Sequence, residues 1–117
     1  VKKLGFIELS DLVGVYNMAA VYLQPSFAEG FGLPVLEAMA CGCPTIVSNT
    51  SSLPELVGDA AVPIDPNNED DTAKGIFEIL SKSEKRNVII KKGLERVKKF
   101  SWDKCARETI NIYKSIL

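Results

Sequence analysis

The sequence predicts an α/β fold with a parallel sheet of about four strands, flanking helices and a three-helix C-terminal tail. Two observations support this. Residues 1–66 alternate short apolar runs with short helical segments, which is the pattern of βαβ units. Residues 67–117 have helical periodicity throughout. A chain of 117 residues fits one domain, which we divide into βα units (1–66) and a helical tail (67–117).

Four short apolar runs in the first part are predicted to be strands, because most of them are rich in β-branched or aromatic residues and turn residues lie nearby. Leu12, Tyr16 and Ala19 share one face of a helix in the same part of the chain. The predicted strands are Lys3–Ile7, 21–26, 44–48 and 60–64, and the predicted helices between them are Ser10–Ala19, Pro34–Cys41 and Leu53–Val57.

Three apolar stripes at helical spacing predict the three helices of the tail. Asn68 is the expected N-cap of the first helix and Ser101 that of the last, and Trp102 is expected in the core. The stripes are Ala73, Ile76, Phe77 and Leu80; Ile90, Leu94 and Val97; and Trp102, Ala106, Ile110, Tyr113 and Leu117.

Composition narrows the function classes. The net charge of −1 gives no overall attraction for nucleic acid, and no apolar run approaches the roughly 20 residues of a membrane span. The chain opens with no signal peptide, and three cysteines suit a reducing compartment. The absence of histidine removes the commonest general base and transition-metal ligand. We therefore expect a cytoplasmic protein that binds no nucleic acid.

Several other residues have a structural interpretation. The thiols are expected to be buried or semi-buried, since Cys41 and Cys43 are too close for easy disulfide geometry. Ser52 and Glu55 have capping-box spacing. A basic run is interpreted as a solvated helix face, with a membrane-surface role as the alternative; it comprises Lys91, Lys92, Arg96, Lys98 and Lys99.

The stretch SFAEGFGLPVLEAMACG, residues 26–42, holds the candidate site. It follows a predicted strand, and ligands of open α/β sheets bind at the carboxyl ends of the strands. Gly30 and Gly32 allow the backbone to approach a ligand, and Pro34 suits the first turn of a helix. The amides expected to be free for an anion such as phosphate are those of Phe31, Gly32, Leu33, Val35 and Leu36.

Two carboxylates eight positions apart, Glu29 and Glu37, flank this predicted anion site. A phosphate does not favour bare carboxylates, whereas a carboxylate accepts hydrogen bonds well from a vicinal diol. The stretch therefore predicts a ligand with a central diphosphate and diols at both ends, which is the shape of a nucleotide sugar. Val35 stands where a dinucleotide fingerprint has its third glycine, which argues against an NAD domain.

The segments PSFAEGFGLPVLEAMACGCPTIVSN and SLPELVGDAAVPIDP, with the tail KKFSWDKCARETINIY, resemble the C-terminal donor-binding domain of GT-B retaining glycosyltransferases. The nearest pattern is that of glycosyltransferase family 4, whose acid–seven–acid (EX7E) motif is matched by Glu29 and Glu37. The resemblance covers essentially the whole chain. It implies a truncated Rossmann-like sheet and transfer of a hexose-type sugar to an acceptor with retention of anomeric configuration.

The resemblance also implies roles for individual residues. Glu29 is the candidate catalytic residue and binds the donor sugar hydroxyls, while Glu37 binds the ribose. The donor sugar and phosphate would meet the backbone of Gly30, Phe31, Gly32 and Leu33. No metal or other cofactor is expected, since in GT-B enzymes amides and basic side chains hold the diphosphate. The nucleotide sugar is a substrate.

A full enzyme of this family has an N-terminal acceptor domain and further strands of the donor domain, so we expect the chain to be a fragment that is inactive alone. Its partners would be the nucleotide sugar and that acceptor domain, which could also bring it to a membrane surface. Two further expectations follow: Lys3–Ile7 pairs beside residues 21–26, and bared surfaces favour a homodimer. Two alternatives stay open, a non-catalytic nucleotide-sugar-binding module and a GT-B sugar-nucleotide epimerase.

Overall fold

A computed structural model describes residues 1–117 as a three-stranded sheet with six helices. The helices of the first part begin and end within one residue of the predicted bounds, and the tail forms three helices as predicted. The elements are α1 (Leu9–Met18), β1 (Tyr22–Gln24), α2 (Leu33–Ala40), β2 (Thr45–Ser48), α3 (Leu53–Val57), β3 (Val62–Ile64), α4 (Glu69–Ser81), α5 (Ser83–Val97) and α6 (Trp102–Ile116).

The sheet has the order β1-β2-β3, and both pairs of neighbours are parallel. Tyr22 pairs with Thr45, and Ile46 pairs with Val62. Each connection between strands carries a helix, α2 or α3, as parallel pairing requires. The parallel α/β architecture is therefore confirmed, and all three strands end at one edge of the sheet.

The predicted fourth strand, Lys3–Ile7, is wrong, and so is its predicted pairing beside β1. These residues form no strand, and all but Ile7 are exposed. Gly5 has φ +71°, outside the extended region, so the segment cannot continue as a regular strand. A strand also needs a neighbour to satisfy its backbone groups, and this segment has none. β1 is thus an edge strand of the chain.

Apolar side chains cover both faces of the sheet. Successive residues of β2 point to opposite faces, so Ile46 and Val47 enter different clusters. Ile46 packs with β3, α4 and α5 through Val62, Ile64, Ile79 and Ile89. Val47 packs with residues of α2 and α3 and the segment after them: Val35, Met39, Leu53, Leu56, Val57, Ala60 and Ala61. A third cluster joins α1 to α2 through Tyr16, Ala38 and Cys43.

The buried residues of α4 and α5 are an isoleucine and a glycine in each helix, Ile79 and Gly75 in α4 and Ile89 and Gly93 in α5, and none of them belongs to the predicted stripes. A Cβ added to Gly75 of α4 would lie 3.1 Å from Ile64 Cγ2, and one added to Gly93 would lie 3.2 Å from Met39 Cγ. The helix backbones therefore lie close to their neighbours. The predicted stripe of α4 is largely outside the core: Phe77 and Leu80 are exposed, and the stripe lines an open groove of about 480 Å³.

Helix α6 has no buried residue, although its cap is the predicted one. Ser101 Oγ accepts from the Lys104 amide at 3.1 Å, and Asn68 caps α4 in the same way. The expectation that Trp102 is core is wrong, since 78% of it is exposed. Cys105 is also exposed, contrary to prediction, because no residue of α6 is buried.

The three thiols are free, and Cys43 is buried as predicted. Burial raises the pKa of the Cys43 thiol, so this side chain stays neutral.

None of the six helices combines the length and the apolarity needed to cross a bilayer. The homodimer expected from exposed apolar faces stays a prediction, which light scattering at several concentrations would check.

Arg96 of α5 ties the tail to α3. Its guanidinium donates to the carbonyls of Leu56 at 2.8 Å and Glu55 at 2.6 Å, near the C-terminal end of α3. A helix end leaves such carbonyls without intrahelical partners and favours positive charge. The guanidinium also lies 5.4 Å from the centre of the Phe100 ring. Arg96 therefore anchors α5 to the C-terminal end of α3.

Replacing Arg96 by Met should lower the free energy of unfolding by roughly 1.5–3 kcal/mol, because Met keeps an apolar stem but loses the charge-assisted bonds to both carbonyls. Urea unfolding would measure the change. Lys98→Met is the matched control, because Lys98 pairs only with the exposed Glu95 and exposed pairs contribute little. Equal midpoints for Arg96→Met and Lys98→Met would contradict the anchoring role.

Candidate functional site

Two loops meet at the carboxyl ends of the sheet. The first, residues 25–32, follows β1, and the second, residues 49–52, follows β2. Hydroxyl groups of the second loop bind carbonyls of the first. Thr50 Oγ1 donates to the Phe27 carbonyl at 3.2 Å, and the Ser51 and Ser52 hydroxyls donate to the Glu29 carbonyl at 2.9 and 3.0 Å. The backbone of Glu29 is therefore held by its neighbour.

Ser51 and Ser52 have roles that sequence reasoning missed. Ser51 has φ +59°, in the left-handed region that non-glycine residues rarely adopt. Its hydroxyl also accepts from the Glu29 amide at 3.1 Å, which favours this conformation. The capping-box prediction for Ser52 and Glu55 is wrong, because the Ser52 side chain makes no cap bond and donates to the first loop. The only sequence signal was the hydroxyl-rich run TSS after a predicted strand.

Glu29 has one carboxylate oxygen engaged. Gln24 Nε2 donates to Glu29 Oε1 at 2.5 Å, and Ser26 Oγ donates to the same oxygen at 2.7 Å. Gln24 Nε2 also lies 2.8 Å from Ser26 Oγ, which closes a three-membered network. The second oxygen, Oε2, accepts no hydrogen bond from the chain. Glu29 is thus fixed at the end of β1 with an oxygen available to a ligand.

Glu37 lies on α2 and is exposed. The Tyr16 hydroxyl, from the buried face of α1, donates to Glu37 Oε2 at 3.0 Å. Burial of Tyr16 and its hydrogen bond to Glu37 raise the pKa of the phenol, so Tyr16 remains a donor. The Tyr16 and Tyr22 rings meet edge to face with centres 5.7 Å apart.

The two predicted acids are thereby connected through side chains. The Tyr22 hydroxyl donates to Gln24 Oε1, and Gln24 in turn binds Glu29. Burial, followed by the negative charges of Glu29 and Glu37, raises the pKa of Tyr22 to about 12. Both carboxylates therefore act on one phenol, and Tyr16, Tyr22 and Gln24 link the two halves of the site.

The backbone between the acids offers free donors. The amides of Gly30, Phe31, Gly32 and Leu33 donate to no backbone group of the chain. Helix N-termini with free amides favour anions. The expectation for Val35 is wrong, because its amide donates to the Gly32 carbonyl at 3.0 Å as the first turn closes.

The two glycines differ. Gly32 has φ +100° and is buried, and a Cβ added there would lie 2.9 Å from Leu53 Cδ2. Gly30 has no positive φ, and an added Cβ would meet no atom within 4 Å. Only Gly32 is thus required by the fold. Nothing in the chain's own packing requires a glycine at position 30, which is open to a ligand.

Phe31 joins the loop to the tail. Its ring meets Phe100 edge to face with centres 6.2 Å apart, and 47% of it remains exposed. Arg96 lies over the other aromatic partner, Phe100. The site is therefore an open surface with carboxylates at both sides and free amides between them, supported from behind by α1, the loop 49–52 and the end of α5.

The family model described as glycosyl transferases group 1 matches residues 1–96. Curated relatives include an O-antigen chain mannosyltransferase B of Escherichia coli, 45% identical over 97% of this chain and 30% of the relative. A serotype-specific mannosyltransferase WbdA of Escherichia coli is 34% identical over 97% of this chain and 14% of the relative.

A solved structure shares the fold. Sucrose-phosphate synthase from Thermosynechococcus elongatus superposes with a TM-score of 0.88 at 32% identity, over 99% of this chain and 30% of that one. The chain therefore spans between 14% and 30% of the length of these three proteins. It corresponds to a part of each of them.

Proposed function

Because the chain belongs to the group 1 glycosyltransferases, which have the GT-B fold, we propose that it forms the donor-binding side of an enzyme that transfers a hexose from a nucleotide sugar with retention of configuration. The two Escherichia coli relatives are named mannosyltransferases, so mannose is the first hexose to test. The single observation that carries the proposal is the arrangement of Glu29, the free amides and Glu37 along one loop and helix.

In this proposal the donor sugar lies against Glu29 Oε2, which accepts from its hydroxyls. The braced backbone holds that oxygen in place, and positioning of this kind lowers the barrier to reaction. The amides of Gly30 to Leu33 donate to the sugar and the nearest phosphate, where their partial positive charge stabilises the leaving diphosphate. Glu29 therefore serves as the catalytic residue and the loop amides as the donor-binding groups.

Glu37 would bind the ribose diol at the other side of the amides. The Tyr16 hydroxyl donates to Glu37 Oε2 and takes up one of the lone pairs of that oxygen, so Glu37 Oε1 can accept from the ribose hydroxyls. No metal is needed in this scheme. Amides of this chain and basic side chains of the remainder of the enzyme hold the diphosphate.

Because the site is an open surface on this chain, a donor bound there needs a second wall. Positioning an acceptor and excluding water require groups on both sides of the donor. We propose that an acceptor domain in the complete protein supplies them, and that the 117-residue chain alone transfers no sugar. Turnover of a nucleotide-sugar panel by the pure chain, above a Glu29→Ala control, would contradict this part.

The test of the proposed function is transfer by the complete protein that contains this chain. UDP- and GDP-linked hexoses, mannose first, would be supplied with candidate acceptors, and the anomeric configuration of the product read by NMR. Transfer with retention supports the proposal. Inversion contradicts the mechanism, binding without transfer favours a non-catalytic module, and conversion of the donor to another sugar favours an epimerase.

A further inference from the structure

The side-chain amide of Gln24 makes hydrogen bonds at both ends: its oxygen accepts from Tyr22, and its nitrogen donates to Ser26 and Glu29. Gln24 is the last residue of β1 and pairs with Val47 of β2, and its carbonyl accepts from Ser48 Oγ at 3.3 Å. Its backbone is thus fixed by the sheet. Side chains that start from strands hold a geometry better than those on loops.

The orientation of the amide is set by Tyr22. The Tyr22 hydroxyl donates to Gln24 Oε1, which turns Nε2 toward Glu29 and Ser26. The Tyr22 phenol is protonated at neutral pH, and its raised pKa extends this donor state to more alkaline pH. An amide is suited to this position because it accepts at one end and donates at the other. An acid there would put two carboxylates together.

We propose that Gln24 is a positioning residue, which with Ser26 holds Glu29 Oε1 and so leaves Oε2 as the oxygen that meets the donor sugar. The inference rests on the proposed role of Glu29. The carboxylate of Glu29 lies on a loop, and without Gln24 only the Ser26 hydroxyl would restrict its rotamers. Gln24 therefore fixes which lone pairs of Glu29 the sugar hydroxyls encounter, although Gln24 itself does not touch the donor.

The test uses Gln24→Met in the complete protein, since Met is similar in length and forms neither strong bond. The kcat for sugar transfer should fall roughly 5- to 50-fold, in keeping with the loss of a charge-assisted hydrogen bond. The Kd of the nucleoside diphosphate, which lacks the sugar, should change less than about twofold, because that ligand does not reach Glu29. Asn87→Met is the control, an exposed amide on α5.

A double variant tests whether Gln24 acts through Glu29. If it does, Gln24→Met combined with Glu29→Ala should be no slower than Glu29→Ala alone, within about twofold, because Ala leaves no carboxylate for Gln24 to position. Multiplied losses would overturn the positioning role. So would a harmless Gln24→Met beside a damaging Glu29→Gln, which leaves the proposed function standing. A harmless Glu29→Gln would instead contradict the proposed role of Glu29 and, with it, the premise of the inference.

Gln24→Leu is the second variant if Gln24→Met fails to fold, since it also removes both hydrogen bonds. Thermal unfolding of each variant would be measured before its kinetics. If neither variant folds at a temperature where the wild type does, the residue serves the fold and the positioning role is overturned.

Discussion

Replacing Glu29 by Gln in the complete protein is expected to slow sugar transfer by roughly ten- to a hundredfold while the fold is kept. The substitution preserves size and still allows contacts with Gln24 and Ser26. It removes the charge that strengthens the bonds accepted from the donor hydroxyls. Losing such a charge-assisted bond costs about 1.5–3 kcal/mol, which corresponds to this range of rates.

Glu55→Gln is the matched control for Glu29→Gln. Glu55 is an exposed carboxylate on α3, and its side chain makes no hydrogen bond within the chain. The Glu55→Gln enzyme should therefore transfer sugar at the wild-type rate. Transfer rates would be measured with saturating donor, alongside the thermal midpoint of each variant. A Glu29→Gln enzyme as fast as Glu55→Gln would remove Glu29 from the reaction.

Replacing Gly32 by Ala should lower the free energy of unfolding by roughly 2–5 kcal/mol. The residue has φ +100°, where a Cβ is strained, and that Cβ would lie 2.9 Å from Leu53 Cδ2 and 3.0 Å from Leu56 Cδ2. Both leucines are buried in the main apolar cluster and have little room to move. The loss is large compared with the 5–15 kcal/mol that is usual for a whole domain.

Gly30→Ala is the matched control for Gly32→Ala, because it adds the same Cβ at a glycine that the fold does not require. The added Cβ meets no atom within 4 Å and the residue has no positive φ, so the free energy of unfolding of this variant should lie within about 0.5 kcal/mol of the wild-type value. Urea unfolding of both variants would give the comparison. If Gly32→Ala were as stable as Gly30→Ala, the buried left-handed turn at the start of α2 would be wrong.

The parts of the fold that sequence could predict are those with local causes. Asn68 and Ser101 cap helices because their own side chains reach a nearby amide. The strand predicted at Lys3–Ile7 failed because strand formation depends on a partner, which no local pattern reveals. The predicted burial of Trp102 is wrong for a similar reason, since an amphipathic pattern predicts a helix but not the element that its apolar face contacts.

The glycines of the tail show a second limit. The apolar stripe of α4 predicts its core face, yet the buried residues of this helix are Ile79 and Gly75, which lies against Ile64. A glycine within a helix is unfavourable by about 1 kcal/mol, so its presence signals a close approach of backbones. That signal was in the sequence at Gly75 and Gly93.

The candidate site divides in the same way. Glu29 and Glu37 could be singled out because of their spacing about a glycine loop and a proline-started helix. Gln24 and Ser51 could not, since their contacts depend on the meeting of two strand ends that only the register of β1 and β2 defines. The supporting residues of a site are therefore harder to predict than its charged groups.

The measurement that tests the account most directly is the affinity of the complete protein for UDP and GDP, with and without Glu37→Gln. The variant should keep its fold, since Tyr16 can still donate to the amide oxygen. We expect the affinity for the preferred nucleotide to fall by about 1.5–3 kcal/mol, roughly ten- to a hundredfold, with Glu55→Gln unchanged. Unchanged affinities for both nucleotides in Glu37→Gln would contradict the donor site proposed along α2.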